Sequence, residues 1–212
     1  ANNPISPLVN TAYTLLDGQN FMKLYEKSWV QISHFSELTN GVYFNAGVEY
    51  SGRSALLNTT DYSWVKSSRN RFTSNDPQDP GNGSPAFSFN RSFKLNVGFR
   101  FRINQKYMMI PEKTVIGSKW PDLIVAYFKG IPTFLGSHVD YDMLKLGLSG
   151  EQRIGPFGTL HYRGEYGVFL NNSKMEFMDY HHFIGNRTIF GKFGLQSFQL
   201  LDYYAYSTNK SY

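Results

Sequence analysis

The sequence predicts an all-β fold, an antiparallel transmembrane β-barrel of which about six strands are identifiable in this chain. Three observations predict it. Several segments alternate apolar and polar residues over the length of a membrane strand, roughly 9–11 residues. Charged residues make up only 17% of the chain while aromatic residues reach 17%, a composition that suits extended strands better than helices. Short links also alternate with long irregular stretches along the chain, as in outer-membrane barrels.

The clearest strand is Ser92–Ile103. Phe93, Leu95, Val97, Phe99, Phe101 and Ile103 fall on one face, and Ser92, Lys94, Asn96, Gly98, Arg100 and Arg102 on the other, because successive side chains of a strand point to opposite sides. In Val42–Ser51, Val42, Phe44, Ala46, Val48 and Tyr50 oppose Tyr43, Asn45, Gly47, Glu49 and Ser51. Asp142–Glu151 sets Leu144, Leu146 and Leu148 against Met143, Lys145, Gly147, Ser149 and Glu151. Thr159–Leu170 sets Leu160, Tyr162, Tyr166, Val168 and Leu170 against Thr159, His161, Arg163, Glu165 and Gly167. Met22–Phe35 is a longer strand whose period is broken at Glu26 and Trp29, as a bulge would break it. Leu123–Lys129 is a short strand, apolar on both faces.

The links separate into two kinds. Glu37–Gly41, with its Asn40-Gly41 step, and Gly155-Pro156-Phe157-Gly158 are tight. The stretches near 58–90 and 171–206 are long loops. Asp76-Pro77, Asp79-Pro80 and Gly81-Asn82-Gly83 exclude regular structure in the first. Asn104–Pro121 breaks the alternation, being long where a short turn is expected.

A soluble β-sandwich also alternates, but its strands run about 5–6 residues, shorter than four of the segments above. Composition removes other classes. There are no cysteines, so neither a thiolate metal site nor a disulfide framework is present. Net charge is +5, but Lys and Arg are scattered rather than clustered, which argues against nucleic-acid binding. No apolar run is long enough for a membrane-spanning helix, and no signal peptide is visible at Ala1.

Several ordered segments carry a resemblance. They are Asn3-Pro4 through Asn20-Phe21, containing Pro7-Leu8-Val9-Asn10-Thr11-Ala12-Tyr13; Phe44-Asn45-Ala46-Gly47-Val48-Glu49-Tyr50; and Leu57-Asn58-Thr59-Thr60-Asp61-Tyr62-Ser63. Further on come Gly117-Ser118-Lys119-Trp120-Pro121, Val139-Asp140-Tyr141-Asp142, His182-Phe183-Ile184-Gly185-Asn186-Arg187-Thr188 and Gln199 through Thr208. Together they resemble a family of Bacteroidetes outer-membrane proteins of unknown function. Its members carry an N-terminal carboxypeptidase-regulatory-like domain and a C-terminal barrel, the latter distantly similar to the surface-antigen barrels of outer-membrane assembly factors. The resemblance implies that residues 1–212 are a portion of that C-terminal barrel domain, with further strands and the regulatory-like domain lying outside it.

No catalytic constellation is found: no Gly-x-Ser-x-Gly elbow, no His-Glu-x-x-His helix and no phosphate loop. The chain is expected to be non-enzymatic and to need no cofactor. His181-His182 is the one metal-like feature, with Asp179 or His138 as possible further ligands. Adjacent histidines on an extended chain diverge, so packing by Tyr180 and Phe183 is the expected role. Asp140 and Asp142 share a strand face, where a polar rim is expected before acid–base or calcium chemistry. The polar faces place Glu49, Lys94, Arg100, Arg102, Arg163 and Glu165 in a barrel lumen, where charges pair across strands. Arg187, within Gly185-Asn186-Arg187-Thr188, is either an ordinary surface arginine or a latch onto a lumen carboxylate such as Glu49 or Glu165. Tyr203, Tyr204, Tyr206 and Tyr212, with Trp29, Trp64 and Trp120, suit either membrane interfaces or a partner or glycan surface.

These readings place the chain in a bacterial outer membrane, in contact with its lipid and with other envelope proteins. The expected role is a scaffold or subunit of an envelope assembly, secretion or surface-export complex. A channel or receptor for a small solute and a soluble carbohydrate-binding sandwich are the alternatives.

Overall fold

The computed structural model describes residues 5–65, 72–81, 85–187 and 197–212. Asn3, Pro4, Asn82, Gly83 and Thr188, which figure in the sequence reading, lie outside the described residues. In chain order the elements are helix α1 (Pro7–Asp17), then β1 (Tyr25–Thr39), β2 (Val42–Ala55), β3 (Asn90–Arg102), β4 (Lys106–Met109), β5 (Lys113–Gly117) and β6 (Asp122–Gly130). There follow β7 (Asp140–Arg153), β8 (Thr159–Lys174), and the short β9 (His181–His182), β10 (Ile184–Asn186), β11 (Ser197–Gln199) and β12 (Ser207–Thr208).

All six expected strands are present, each with its limits moved by a few residues. They form one six-stranded sheet in the order β1-β2-β3-β6-β7-β8, antiparallel from β3 through β8. The register carries the alternation from strand to strand. Val97 lies opposite Tyr127, which lies opposite Leu144; Phe99 lies opposite Val125, which lies opposite Leu146. On the other side Arg102 faces Asp122, and Asp122 faces Ser149. Directly opposed residues share a sheet face, so one face of the sheet is mainly apolar, with the Lys129–Asp142 pair at one end of it, and the other is mainly polar. Strand β6 mixes the two, since Ile124, Ala126 and Phe128 lie on the polar face, and Met143 and Phe169 continue that apolar patch across β7 and β8.

The chain forms two compact units. One comprises Trp29–Tyr50, Ser92–Met175 and Asn209–Tyr212 and holds most of the sheet. Its core is small: Val139, Tyr141 and Phe169 are buried, with Phe128, Met143 and Met175 packed against them. The unexpectedly long Asn104–Pro121 connection is explained by the antiparallel hairpin of β4 and β5. The tight links behave as expected. A single 3₁₀ turn at Gly155–Phe157 joins β7 to β8. Gly41 closes the β1–β2 turn at φ 80°, and its carbonyl accepts the Arg102 amide at 2.7 Å.

The second unit comprises Ala1–Ser28, Ser51–Arg91 and Glu176–Thr208. It contains α1, an element absent from the all-strand expectation. The helix is locally encoded: the Ser6 hydroxyl accepts the Val9 amide, Pro7 occupies the first turn, and Gly18 ends it at φ 66°. The stretch expected to be irregular from Asn171 to Tyr206 is only partly so. Strand β8 runs on to Lys174, β9 pairs with β12 antiparallel and β10 with β11 parallel.

A β-carbon at Gly41 would lie 2.3 Å from the Arg102 carbonyl oxygen, on a backbone with positive φ. Gly41→Ala is therefore expected to destabilise the fold by about 1–3 kcal/mol, read as a lower urea midpoint with an unchanged slope.

Candidate functional site

The polar face of the sheet is a ladder of paired charges. Arg102 grips Asp122 with two parallel hydrogen bonds, Nε to Oδ1 at 2.9 Å and Nη2 to Oδ2 at 2.8 Å. The planar fork of a guanidinium matches a carboxylate in this way. Tyr43 lies across β2 and β3 with its ring 6.0 Å from the Arg102 guanidinium carbon. On β7 and β8, Lys145 pairs with Glu165 at 2.6 Å, and Arg163, two residues along the same strand, reaches Glu165 at 3.3 Å. The Tyr212 hydroxyl donates to the same carboxylate at 3.5 Å. Near the β1–β2 turn, one Glu37 oxygen accepts from the Gly41 amide, the Gln105 side chain and the Lys113 ammonium.

Five of the seven site residues anticipated from sequence share the polar face: Arg102, Arg163 and Glu165 in ion pairs, Lys94 opposite Gly130, and Arg100. Arg100 lies on the same face opposite Ile124 and is exposed. Glu49 lies on β2 and is partly exposed. The seventh, Arg187, lies in the second unit. Its partner is Asp202 at 3.1 Å, both side chains 60% exposed, while Glu165 is held by Lys145 and Arg163. A 15-residue separation in sequence between Arg187 and Asp202 gave no local signal for that contact.

The other candidates resolve as structural contacts. Asp142 accepts from Lys129 at 2.7 Å and from the Tyr127 hydroxyl at 2.6 Å. Asp140 accepts from the Asn171 amide at 2.8 Å, beside an irregularity in the β7–β8 register. Asp179, considered as a metal ligand, instead meets Arg53. His182 bonds Ser207 Oγ through Nδ1 at 2.7 Å and packs against Phe177, and His181 packs on Phe183. Burial pushes the proton affinity of His182 down against the opposing pull of the Phe177 carbonyl and Asp179. Among the described residues no group of three or more His, Cys, Asp or Glu is placed to hold a metal ion.

Two charged groups of the second unit escaped the sequence reading. Arg53 extends the polar series of β2 one step past Ser51. It is 1% exposed, and it meets the fully buried Asp179 at 2.6 Å and Asn90 Oδ1 at 2.7 Å. Asp179 Oδ2 also accepts the Glu176 amide, closing a small capping box. Lys23 is bound by the Asn20 and Ser74 carbonyls and by Thr73 Oγ1. Desolvation lowers its pKa to about 8, opposed by nearby Asp76. Only the continued alternation could have flagged Arg53. Little in the local sequence flags Lys23, because two of its three acceptors, Thr73 and Ser74, come from a distant loop.

The fold and this ladder define an antiparallel β protein of long strands with one charged and one apolar face. More narrowly, a family described as "Family of unknown function (DUF5686) C-terminal domain" matches residues 1–212, and the chain belongs to that family. No curated protein and no solved structure matches it.

Arg53→Met is expected to cost about 3–5 kcal/mol, because it strands a buried carboxylate, and Arg53→Met combined with Asp179→Leu should recover most of that loss in chemical unfolding. Lys23 is expected to titrate near 8, measured by NMR after reductive ¹³C-methylation. Its folded value lies below the ordinary 10.5, so the folded state binds that proton more weakly than the unfolded chain. The cost of burying the ammonium is therefore present below pH 8 and is relieved as pH rises toward 10.5.

Proposed function

We propose that this chain forms part of a β-barrel in a bacterial outer membrane, where it acts non-enzymatically as a scaffold or subunit of an envelope assembly, secretion or surface-export complex. The single observation that carries the reading is the inverted polarity of the sheet. Leu123, Leu146 and Leu148 on the apolar face are 40%, 43% and 39% exposed. On the polar face the side chains of Lys145, Glu165, Arg102 and Asp122 are only 25%, 20%, 25% and 16% exposed. Burying charge while exposing leucine is unfavourable in water, at roughly 25 cal/mol for each Å² of apolar surface left wet. Facing hydrocarbon, the same arrangement is favourable.

Strand length supports this reading. Strands β2, β7 and β8 have 14, 14 and 16 residues, enough to cross a bilayer with tilt. A sandwich would need a second sheet over the apolar face, yet the other sheets among the described residues have two strands each. No described helix is long and apolar enough to cross a membrane, which says nothing about crossing by strands. Exposed Trp29 and Trp120, 57% and 58%, suit membrane interfaces.

The scaffold role is favoured over a conducting channel by the state of the polar face. Arg102 and Asp122 neutralise one another there, as do Lys145 and Glu165, and Phe128, Tyr141, Met143 and Phe169 fill part of it. A source among the Bacteroidetes and an upstream carboxypeptidase-regulatory-like domain belong to the same proposal, through the resemblance described above.

The protein is expected to fractionate with outer membranes and to migrate faster on gels before heating than after. Leu146→Arg should reduce its stability in lipid by about 2–4 kcal/mol if the site is near the bilayer midplane, while Ser149→Arg on the polar face should be tolerated. Equal tolerance of the two substitutions, in urea unfolding from lipid vesicles, would remove the lipid-facing assignment.

A further inference from the structure

The second unit carries an open pocket of about 420 Å³, toward the small end of the range of ligand pockets, roughly 300–1,000 Å³. Its walls come from three separate stretches of chain: Phe21 and Lys23, the Thr73–Pro80 loop, and Arg187 with Asp202, Tyr203 and Tyr204. The stretches are fastened to one another. Asn20 bonds the Thr73 backbone in both directions, through its amide at 2.7 Å and its carbonyl oxygen at 2.8 Å. The Lys23 amide donates to the Tyr204 hydroxyl at 3.3 Å.

One side of the cavity is aromatic. The Phe21 ring stands edge-on to Tyr13 and tilted against Tyr203, with centroids 5.4 Å apart in both cases. The other side carries the Arg187–Asp202 pair, each partner 60% exposed. That pair offers N–H donors and carboxylate lone pairs side by side, which suits hydroxyl groups, since each hydroxyl both donates and accepts. The cationic side chains do not make it an anion site. The three ammonium protons of Lys23 already meet three acceptors, Asn20 O, Thr73 Oγ1 and Ser74 O. Arg187 is balanced by Asp202, and Lys23 by the nearby Asp76. A phosphate or sulfate would have to break these contacts, whereas a neutral polyol can add to them.

We infer that this cavity is a carbohydrate-binding site, taking a neutral sugar ring with its C–H face against Phe21, Tyr203 and Tyr204 and its hydroxyls on Arg187 and Asp202. The site uses only the second unit. It stands independently of whether the sheet lies in a membrane.

Calorimetric titration of the purified chain with cellotetraose, maltotetraose and mannotetraose tests it, alongside Asp202→Asn, Tyr203→Ala and Tyr203→Phe, with thermal melting of each variant. At least one tetrasaccharide should bind, and Asp202→Asn should weaken it about tenfold, the effect of losing one charge-assisted hydrogen bond. Tyr203→Ala should weaken it at least as much, Tyr203→Phe much less, and Asp202→Asn should melt as the parent does. The proposal is overturned if none of the three sugars binds, if Asp202→Asn binds as tightly as the parent, or if inorganic phosphate competes with the sugar.

Discussion

The register of β3, β6 and β7 is the constraint on which the rest of the structure depends. Side chains alternate with a period of two, so a slip of one residue would move every leucine of β7 to the charged face. Paired polar groups hold the register at both ends of β6. Arg102 meets Asp122 at one end, and Lys129 meets Asp142 at the other. Both pairs join residues directly opposite each other in the ladder. They are partly exposed, so each contributes modestly to stability. Their larger effect is selective, since a slipped register would leave these charges facing apolar neighbours.

The sheet inverts the usual economy of a water-soluble fold. Few apolar side chains are buried among the described residues: Ile5, Met22, Val139, Tyr141 and Phe169. The polar face instead gathers Arg102, Asp122, Lys145, Arg163 and Glu165, each with an opposite charge within reach. Pairing is what makes this burial tolerable, because a lone charge at the same depth would keep its full desolvation cost. Arg53 and Asp179 apply the same rule more severely, being almost wholly enclosed.

The strands were legible because each one carries its own pattern. Ser92–Ile103 alternates without a break and became Asn90–Arg102. Even the irregular β1 and the doubly apolar β6 appeared where expected. The hairpin of β4 and β5 was not legible, because Tyr107-Met108-Met109 and Thr114-Val115-Ile116 are too short to show a period. Helix α1 lies outside the all-strand pattern, and its signal is confined to its two ends, Ser6 and Pro7 at one and Gly18 at the other.

The sequence by itself determined which residues share a face, since that follows from the pleat of a single strand. It placed Lys94, Arg100, Arg102, Arg163 and Glu165 together on polar faces without any knowledge of neighbours. Only the tertiary structure decided which of them meet. Glu165 chose Lys145 and Arg163, Arg187 chose Asp202, and Lys23 found its acceptors at Asn20, Thr73 and Ser74. The physical reason is that a strand's faces are set by local backbone geometry. The partner of a charge is set by strand order, register and loop path, and those arise from pairings between segments distant in the chain.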